Sequence, residues 1–165
     1  MWSEQVLIRA GCAPGVVAHC VAVSRTAAAL AGRVRAVRID TELVQIGGLM
    51  HDIGRARTGG IGHALAGVEI GRQIGLPKAV LDIIERHIGA GITAAEAARL
   101  GLPERDFLPL TPEEKLVSYA DNLTKGREPM TFGDAMERFR VILGDGHEGI
   151  GLFRRQHEEI QSWMR

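Results

Sequence analysis

The sequence is poor in the features that mark several classes of protein. Its 165 residues include only two cysteines, Cys12 and Cys20, which are too few for a disulfide framework, so reduced thiols are expected. The spacing of these two cysteines also matches no zinc-binding pattern. Lys and Arg together total 20 residues, and Asp and Glu together also total 20, so the net charge is zero. No overall positive potential therefore attracts nucleic acid or an anionic membrane. The longest apolar runs, such as GVVAHCVAV, are short and interrupted, and the N-terminus shows no signal-peptide pattern. We therefore expect a cytoplasmic protein with no membrane partner and no clear nucleic-acid-binding surface.

The length and the apolar pattern predict one helical domain that spans residues 1–165. Apolar residues recur at helical spacing almost throughout, and no run of alternating β-branched residues predicts a sheet. The expected fold class is therefore all-α. The predicted helices span roughly 3–10, 14–31, 41–53, 63–75, 77–88, 94–100, 112–124, 131–142 and 149–163, with loops near 55–62 and 144–151.

One stretch places two titratable side chains in an apolar setting. In GGLMHDIGRA, residues 47–56, His51 and Asp52 fall in the last turn of a predicted apolar helix. Burying either group without a partner is costly, so the pair needs hydrogen bonds, water or a metal ion.

Other polar residues fall on apolar helix faces in the same way. His19, His87 and Asp121 each lie on the inward face of a separate predicted helix. A single buried histidine is ordinarily a core residue bonded to a carbonyl, but several that converge beside Asp52 indicate another purpose. Neutral imidazoles and carboxylates that meet in a core are typical ligands of a divalent cation, whose charge offsets their burial.

These residues carry a resemblance to a known family. His19, the His51–Asp52 doublet within HDIG, and Asp121 within YADNLTKG resemble the HD-domain superfamily of metal-dependent phosphohydrolases, over residues of about 15–127. The resemblance implies a single compact multi-helix bundle with a metal site in its core, on which the helices of 128–165 pack. It also implies that these four residues bind one metal ion.

Two further histidines extend the resemblance to a second metal. His63 at a predicted helix start and His87 at a helix end fit the positions that two-metal members add, and Asp52 would then bridge both ions. Some two-metal phosphodiesterases have a histidine directly after the His87 position, where this chain has Ile88, so the second site would be short of one ligand. The implied cofactor is one or two divalent ions of Fe, Mn, Zn, Ni or Co.

Cationic side chains near this site are candidates for holding a substrate phosphate. Arg55 follows the HDIG glycine where many relatives have lysine; its guanidinium could bind phosphate through two nitrogens but is a poor proton donor. Lys125 lies one turn beyond Asp121. The expected catalytic residues are His51, Asp52, Arg55 and Lys125, and the expected substrate-binding residues are Arg55, Lys125, Arg57 and Arg86.

The resemblance favours hydrolysis of a phosphoester of a small molecule, above all a nucleotide, by a metal-activated water. Two alternatives stay open at this point. Some HD-domain relatives are di-iron oxygenases with a bridging aspartate and two further histidines, and the missing histidine at Ile88 leaves that chemistry open. The chain could also be a non-catalytic sensing module that keeps the metal as a structural cross-link. In any of these roles the apolar C-terminal helices could pair two chains as a homodimer.

Overall fold

The computed structural model describes residues 1–165 and confirms the all-α class. Nine α-helices follow one another, and a two-stranded antiparallel hairpin is the whole of the sheet structure. A 3-10 helix, Ile53–Ala56, separates the third and fourth helices. The elements are α1 (Glu4–Ala10), α2 (Pro14–Ala31), α3 (Thr41–Met50), α4 (His63–Gln73), α5 (Lys78–Glu85), α6 (Ala94–Arg99), α7 (Pro112–Asn122), β1 (Thr124–Lys125), β2 (Glu128–Pro129), α8 (Phe132–Leu143) and α9 (Glu148–Trp163).

Local sequence signals explain where most helices begin. Pro14 occupies the first turn of α2, where a backbone N–H would have no intrahelical partner. The Asp40 side chain accepts a hydrogen bond from the Leu43 N–H at the start of α3. Thr111 caps α7 in the same way through the Glu114 N–H. Each cap satisfies a backbone donor that the first turn leaves free.

The central helix α2 packs against both α3 and α7. Its buried residues join two apolar clusters, one shared with α7, α8 and α9 and the other with α1, α4 and α5. By length and composition alone α2 could cross a membrane, and apolar core helices of folded domains share these properties. Its place between α3 and α7 is that of a core helix.

Several helices end two or three residues earlier than predicted. Helix α3 ends at Met50 and α5 at Glu85, so His51 and His87 lie just past helix ends and not within them. The hairpin β1–β2 was not predicted, because two-residue strands give no periodic signal. Helix α9 begins at Glu148, one residue before its predicted start, where the His147 side chain accepts a hydrogen bond from the Gly149 N–H.

The C-terminal helices complete the main core. Phe153, Ile160 and Trp163 of α9 are buried in the cluster that contains α2 and α7, and Ala135 and Met136 of α8 join them. Helix α8 packs on α9, and α9 packs on α7. Residues of α8 and of the C-terminal end of α7 line the same cavity.

Candidate metal centre

Six predicted ligands meet where helix ends converge on α2. His19 lies within α2, and Asp121 lies in the last turn of α7. The other four lie at or beyond the ends of α3, α4 and α5. Four of the six are nearly or fully buried, with side chains at most 6% exposed, and His19 and Asp121 are 16% and 21% exposed. The structure thus brings together His19, His51, Asp52, His63, His87 and Asp121.

Backbone carbonyls fix the orientation of every histidine ring in this group. The Nδ1 atom of His19 faces the carbonyl of Gly126 in the hairpin turn. In the other three rings Nδ1 faces the carbonyl three residues earlier: His51 to Gly48 at 2.6 Å, His63 to Gly60 at 2.8 Å and His87 to Ile84 at 2.7 Å. A carbonyl can only accept, so each neutral ring carries its proton on Nδ1 and turns the Nε2 lone pair inward. This is how metal-binding histidines are held by their outer hydrogen bonds.

The Asp52 carboxylate lies between two groups of imidazoles. Its Oδ1 atom is 3.2 Å from Nε2 of both His63 and His87. Its Oδ2 atom is 3.8 Å from Nε2 of His19 and 3.7 Å from Nε2 of His51. One carboxylate therefore faces two separate sets of nitrogen ligands, which is the arrangement a bridging ligand needs.

Two observations show that the donor set fits a divalent cation. Nε2 of His51 and Oδ1 of Asp52 are buried polar atoms without a hydrogen-bond partner, which is costly unless an ion satisfies them. Nε2 atoms of His63 and His87 lie 3.1 Å apart, although both Nδ1 atoms already hold the ring protons, so two lone pairs face each other. Imidazole nitrogens and carboxylate oxygens suit Zn, Fe, Mn or a similar ion. Three overlapping groups could each hold one: His19, His51 and Asp52; His51, His87 and Asp121; Asp52, His63 and His87.

Charges within the centre set its protonation. Burial lowers the pKa of His51, but the carboxylates of Asp52 and Asp121 outweigh it and raise this pKa to about 9. Burial raises the pKa of both carboxyl groups, but His51 and the other imidazoles outweigh it and hold both below their usual range. Burial lowers the pKa of His87. Without a metal, the centre therefore holds a proton on His51 at neutral pH.

Metal binding at pH 7 is expected to release this proton. The pKa of His51 in the metal-free protein, about 9, exceeds its ordinary value of 6.5. The bound proton therefore stabilises the metal-free fold fully below pH 6.5, and this stabilisation is lost as the pH rises through 9. A metal ligand must be deprotonated, so apparent metal affinity should rise about tenfold per pH unit below 9. Calorimetric titration in two buffers of different ionisation enthalpy measures the released proton. An equal heat in both buffers would contradict the protonation assigned to His51.

The four cationic candidates are in different surroundings. Arg55 lies at the centre, where its Nε donates to Oδ2 of Asp52 at 2.8 Å and its Nη1 donates to the Gly59 carbonyl at 3.3 Å. Lys125 is exposed on the hairpin, and only its neighbours Thr124 and Gly126 line the cavity above the centre. Of these two, Arg55 alone is in position to reach a ligand at the carboxylates.

Arg57 and Arg86 are not brought to the centre. The Arg57 guanidinium donates to Glu69 at 2.8 Å on the outer face of α4 and lines a different cavity. The Arg86 guanidinium donates to both carboxylate oxygens of Glu114 at 3.0 Å, and Glu114 is 4% exposed. A carboxylate this buried needs its cation, so the Arg86 guanidinium is engaged within the fold.

Comparison with known proteins identifies the family. The family model for the HD domain matches residues 16–126, about two thirds of the chain. This chain belongs to the HD-domain family. An uncharacterized protein of Methanocaldococcus jannaschii is 46% identical over 93% of this chain and 92% of its own length. The tRNA (cytidine(56)-2'-O)-methyltransferase of Picrophilus torridus is 41% identical over 74% of this chain, which matches only 36% of that protein.

Solved structures share the fold of this HD domain. The HD domain of the L. monocytogenes phosphodiesterase PgpH superposes with a TM-score of 0.57 at 18% identity, over 96% of this chain and 95% of that one. A second structure of the PgpH domain, with cyclic-di-AMP, superposes with the same TM-score. At this identity the likeness establishes the fold alone.

A cavity of about 500 Å³ opens above the metal centre of the HD domain. His19, Asp52, Asp121 and Arg55 are among the residues that line it. Another part of the wall comes from α8, which lies beyond the residues that the family model matches. This wall was not predicted, since the helices of 128–165 were expected only to pack on the bundle. The available signal was the run Val141, Ile142 and Leu143, since three consecutive apolar residues of a helix cannot all face one core.

A buried hydrogen-bond network connects α9 to the loop that carries His87. The carbonyl of Gly89 accepts from Ser118 Oγ at 2.8 Å and from Asn122 Nδ2 at 3.0 Å. Gln156 of α9 donates from Nε2 to Ser118 Oγ at 2.8 Å and is 6% exposed. A satisfied buried network of this kind holds the loop in one position.

Proposed function

We propose that this HD domain hydrolyses a phosphoester of a small molecule, a nucleotide, at a centre of one or two divalent metal ions. The observation that carries the proposal is the Asp52 carboxylate, whose two oxygens face separate sets of inward Nε2 atoms at the side of an open cavity. When bound, the metal would supply an activated water and positive charge for the phosphoryl oxygens. His19, His51, Asp52 and Asp121 would hold one ion, and His63 and His87 with Asp52 would hold a second.

Arg55 would bind the phosphate of the substrate. Its Nε is held by Asp52 and its Nη1 by Gly59, while Nη2 makes no hydrogen bond, and the side chain is 34% exposed. The fixed guanidinium can therefore present Nη2 to a phosphate oxygen without further ordering of the side chain. Lys125 remains a weaker candidate, because it would have to swing from the outer face of the hairpin.

The nucleotide assignment has support from the cavity and from the relatives. About 500 Å³ lies within the range of small-molecule sites. The PgpH domain that shares this fold was solved with cyclic-di-AMP, a nucleotide. Two further relatives have names that refer to RNA, the tRNA methyltransferase and Ribonuclease Y of Acidothermus cellulolyticus, although this chain spans only 36% and 26% of their lengths.

The test is to strip the protein of metal, reload it separately with Fe, Mn, Zn, Ni or Co, and assay each form against mononucleotides, dinucleotides, cyclic dinucleotides and sugar phosphates. At least one form should release product by chromatography, and chelator or His51→Ala should remove that activity. His147→Ala is the matched control, because His147 caps α9 and bonds Glu96 away from the centre.

Two outcomes would overturn the proposal. Oxygen consumption by the iron-loaded protein, without hydrolysis by any form, would indicate di-iron oxygenase chemistry. Metal binding that raises the melting temperature without turnover of any substrate would indicate a metal-stabilised sensing module.

A further inference from the structure

Helix α8 presents an apolar surface to the metal-centre cavity. Phe139, Ile142 and Leu143 line it, and Ile142 is 65% exposed and Leu143 37% exposed. Scattered exposed apolar residues are ordinary, but these adjoin Val16 and Ile88 in the wall of one cavity. One face of the Phe139 ring is stacked on Phe153 with centroids 4.4 Å apart, so its position is fixed from behind. The wall is therefore preformed.

The amide and hydroxyl side chains that line the same cavity, Asn122 and Thr124, are already engaged. Asn122 Nδ2 donates to the Gly89 carbonyl and to Gln156, at 3.0 Å and 3.3 Å. The Thr124 hydroxyl donates to the Ala120 carbonyl at 2.8 Å. Their donors are not available to a ligand, so the part of a ligand that lies away from the metal meets mainly apolar surface.

One cation in the cavity wall has no partner. Arg138 of α8 lines the cavity, is exposed, and makes no hydrogen bond or ion pair. On the same helix Arg140 lies 3.6 Å from Glu137 and 3.8 Å from Asp145. Arg138 thus differs from its neighbour in having a guanidinium free for an anionic ligand beside an apolar surface.

We propose that α8 is the specificity element of this HD domain, where Phe139, Ile142 and Leu143 contact the base of a nucleoside phosphate and Arg138 contacts a phosphate oxygen. The proposal rests on the proposed function, since it identifies the base as the part of that substrate that lies away from the metal. An aromatic base has the flat apolar faces that such a wall accommodates. Because the amide and hydroxyl donors of Asn122 and Thr124 are engaged, the wall should tolerate different bases but discriminate against phosphoesters without a base.

The experiment uses substrate pairs that differ in the base. Adenosine 5'-monophosphate is paired with ribose 5-phosphate, and the p-nitrophenyl ester of thymidine 5'-monophosphate with methyl p-nitrophenyl phosphate. The base-bearing member should be preferred, and Ile142→Asn should lower its kcat/KM about tenfold, mainly through KM, and leave the base-free member unchanged. The matched control is Val141→Asn, because Val141 is 78% exposed and does not line the cavity.

Arg138→Gln is expected to raise KM for both members of a pair, while Arg140→Gln is expected to leave both unchanged. Equal cleavage of both members, unaffected by Ile142→Asn, would overturn the inference and leave the proposed function standing. Cleavage of neither, together with no turnover in the wider substrate screen, would overturn the proposed function. In that case calorimetric binding of adenosine 5'-monophosphate decides the inference: binding weakened by Ile142→Asn supports it, and no binding overturns it.

Discussion

Replacing Asp52 with asparagine is expected to abolish metal binding and phosphoester hydrolysis together. Asp52 is the one residue whose two oxygens face both sets of imidazoles, at 3.2 Å on one side and at 3.7 and 3.8 Å on the other. An amide has the same shape but no negative charge, and its nitrogen cannot bind a cation. Since loss of an outer hydrogen bond alone costs roughly 10–100-fold in metal affinity, loss of the shared ligand should cost at least about 100-fold.

The measurement is metal content by elemental analysis, together with the rise in melting temperature on metal addition. The parent protein should gain stability from the metal, and Asp52→Asn should gain none. Asp82→Asn is the matched control, since Asp82 pairs with Lys78 on the surface of α5. Full metal content in Asp52→Asn would refute the assignment of Asp52 as a ligand.

The convergence of the six candidate ligands could be predicted because their sequence signals are local. Inward position on a helix follows from apolar periodicity, and the HDIG motif adds a sequence pattern of known meaning. The structure adds a physical reason for their location at helix ends. The last carbonyls of α3 and α5 lack intrahelical partners, and the Nδ1–H groups of His51 and His87 bond to them. One hydrogen bond therefore both satisfies a helix end and fixes a ligand.

The substrate side of the centre could not be predicted, because it depends on contacts between distant segments. Arg86 and Arg138 look alike in sequence, yet Arg86 meets the buried Glu114 after 28 residues and Arg138 meets no partner. Likewise, the direction in which α8 leaves the hairpin decides whether Ile142 faces the core or the cavity. Neither the ion-pair partner of an arginine nor the direction of a helix after a hairpin can be predicted from the periodicity of apolar residues.

Replacing Gly54 with alanine is expected to have the largest effect on stability. An added Cβ at this glycine of the HDIG motif would lie 1.7 Å from the carbonyl oxygen of His63 and 2.5 Å from the nitrogen of Gly67. Both are backbone atoms of α4, so no side-chain rotation can relieve the overlap. The whole of α4 must move away, and His63 moves with it away from Asp52. Overpacking of this kind costs about 3 kcal/mol or more.

The motif glycine thus has a role that is separate from the metal: it lets α4 approach closely enough for His63 to face Asp52. Denaturant unfolding of the metal-free protein measures the cost without any contribution from binding. Gly62→Ala is the matched control, because Gly62 has a φ of −75° and nothing lies within 4 Å of its added Cβ. We expect Gly62→Ala to be as stable as the parent and Gly54→Ala to lose both stability and the metal at Asp52, His63 and His87. Equal stability of the two variants would mean that α4 is not held by this contact, and the placement of His63 would need another cause.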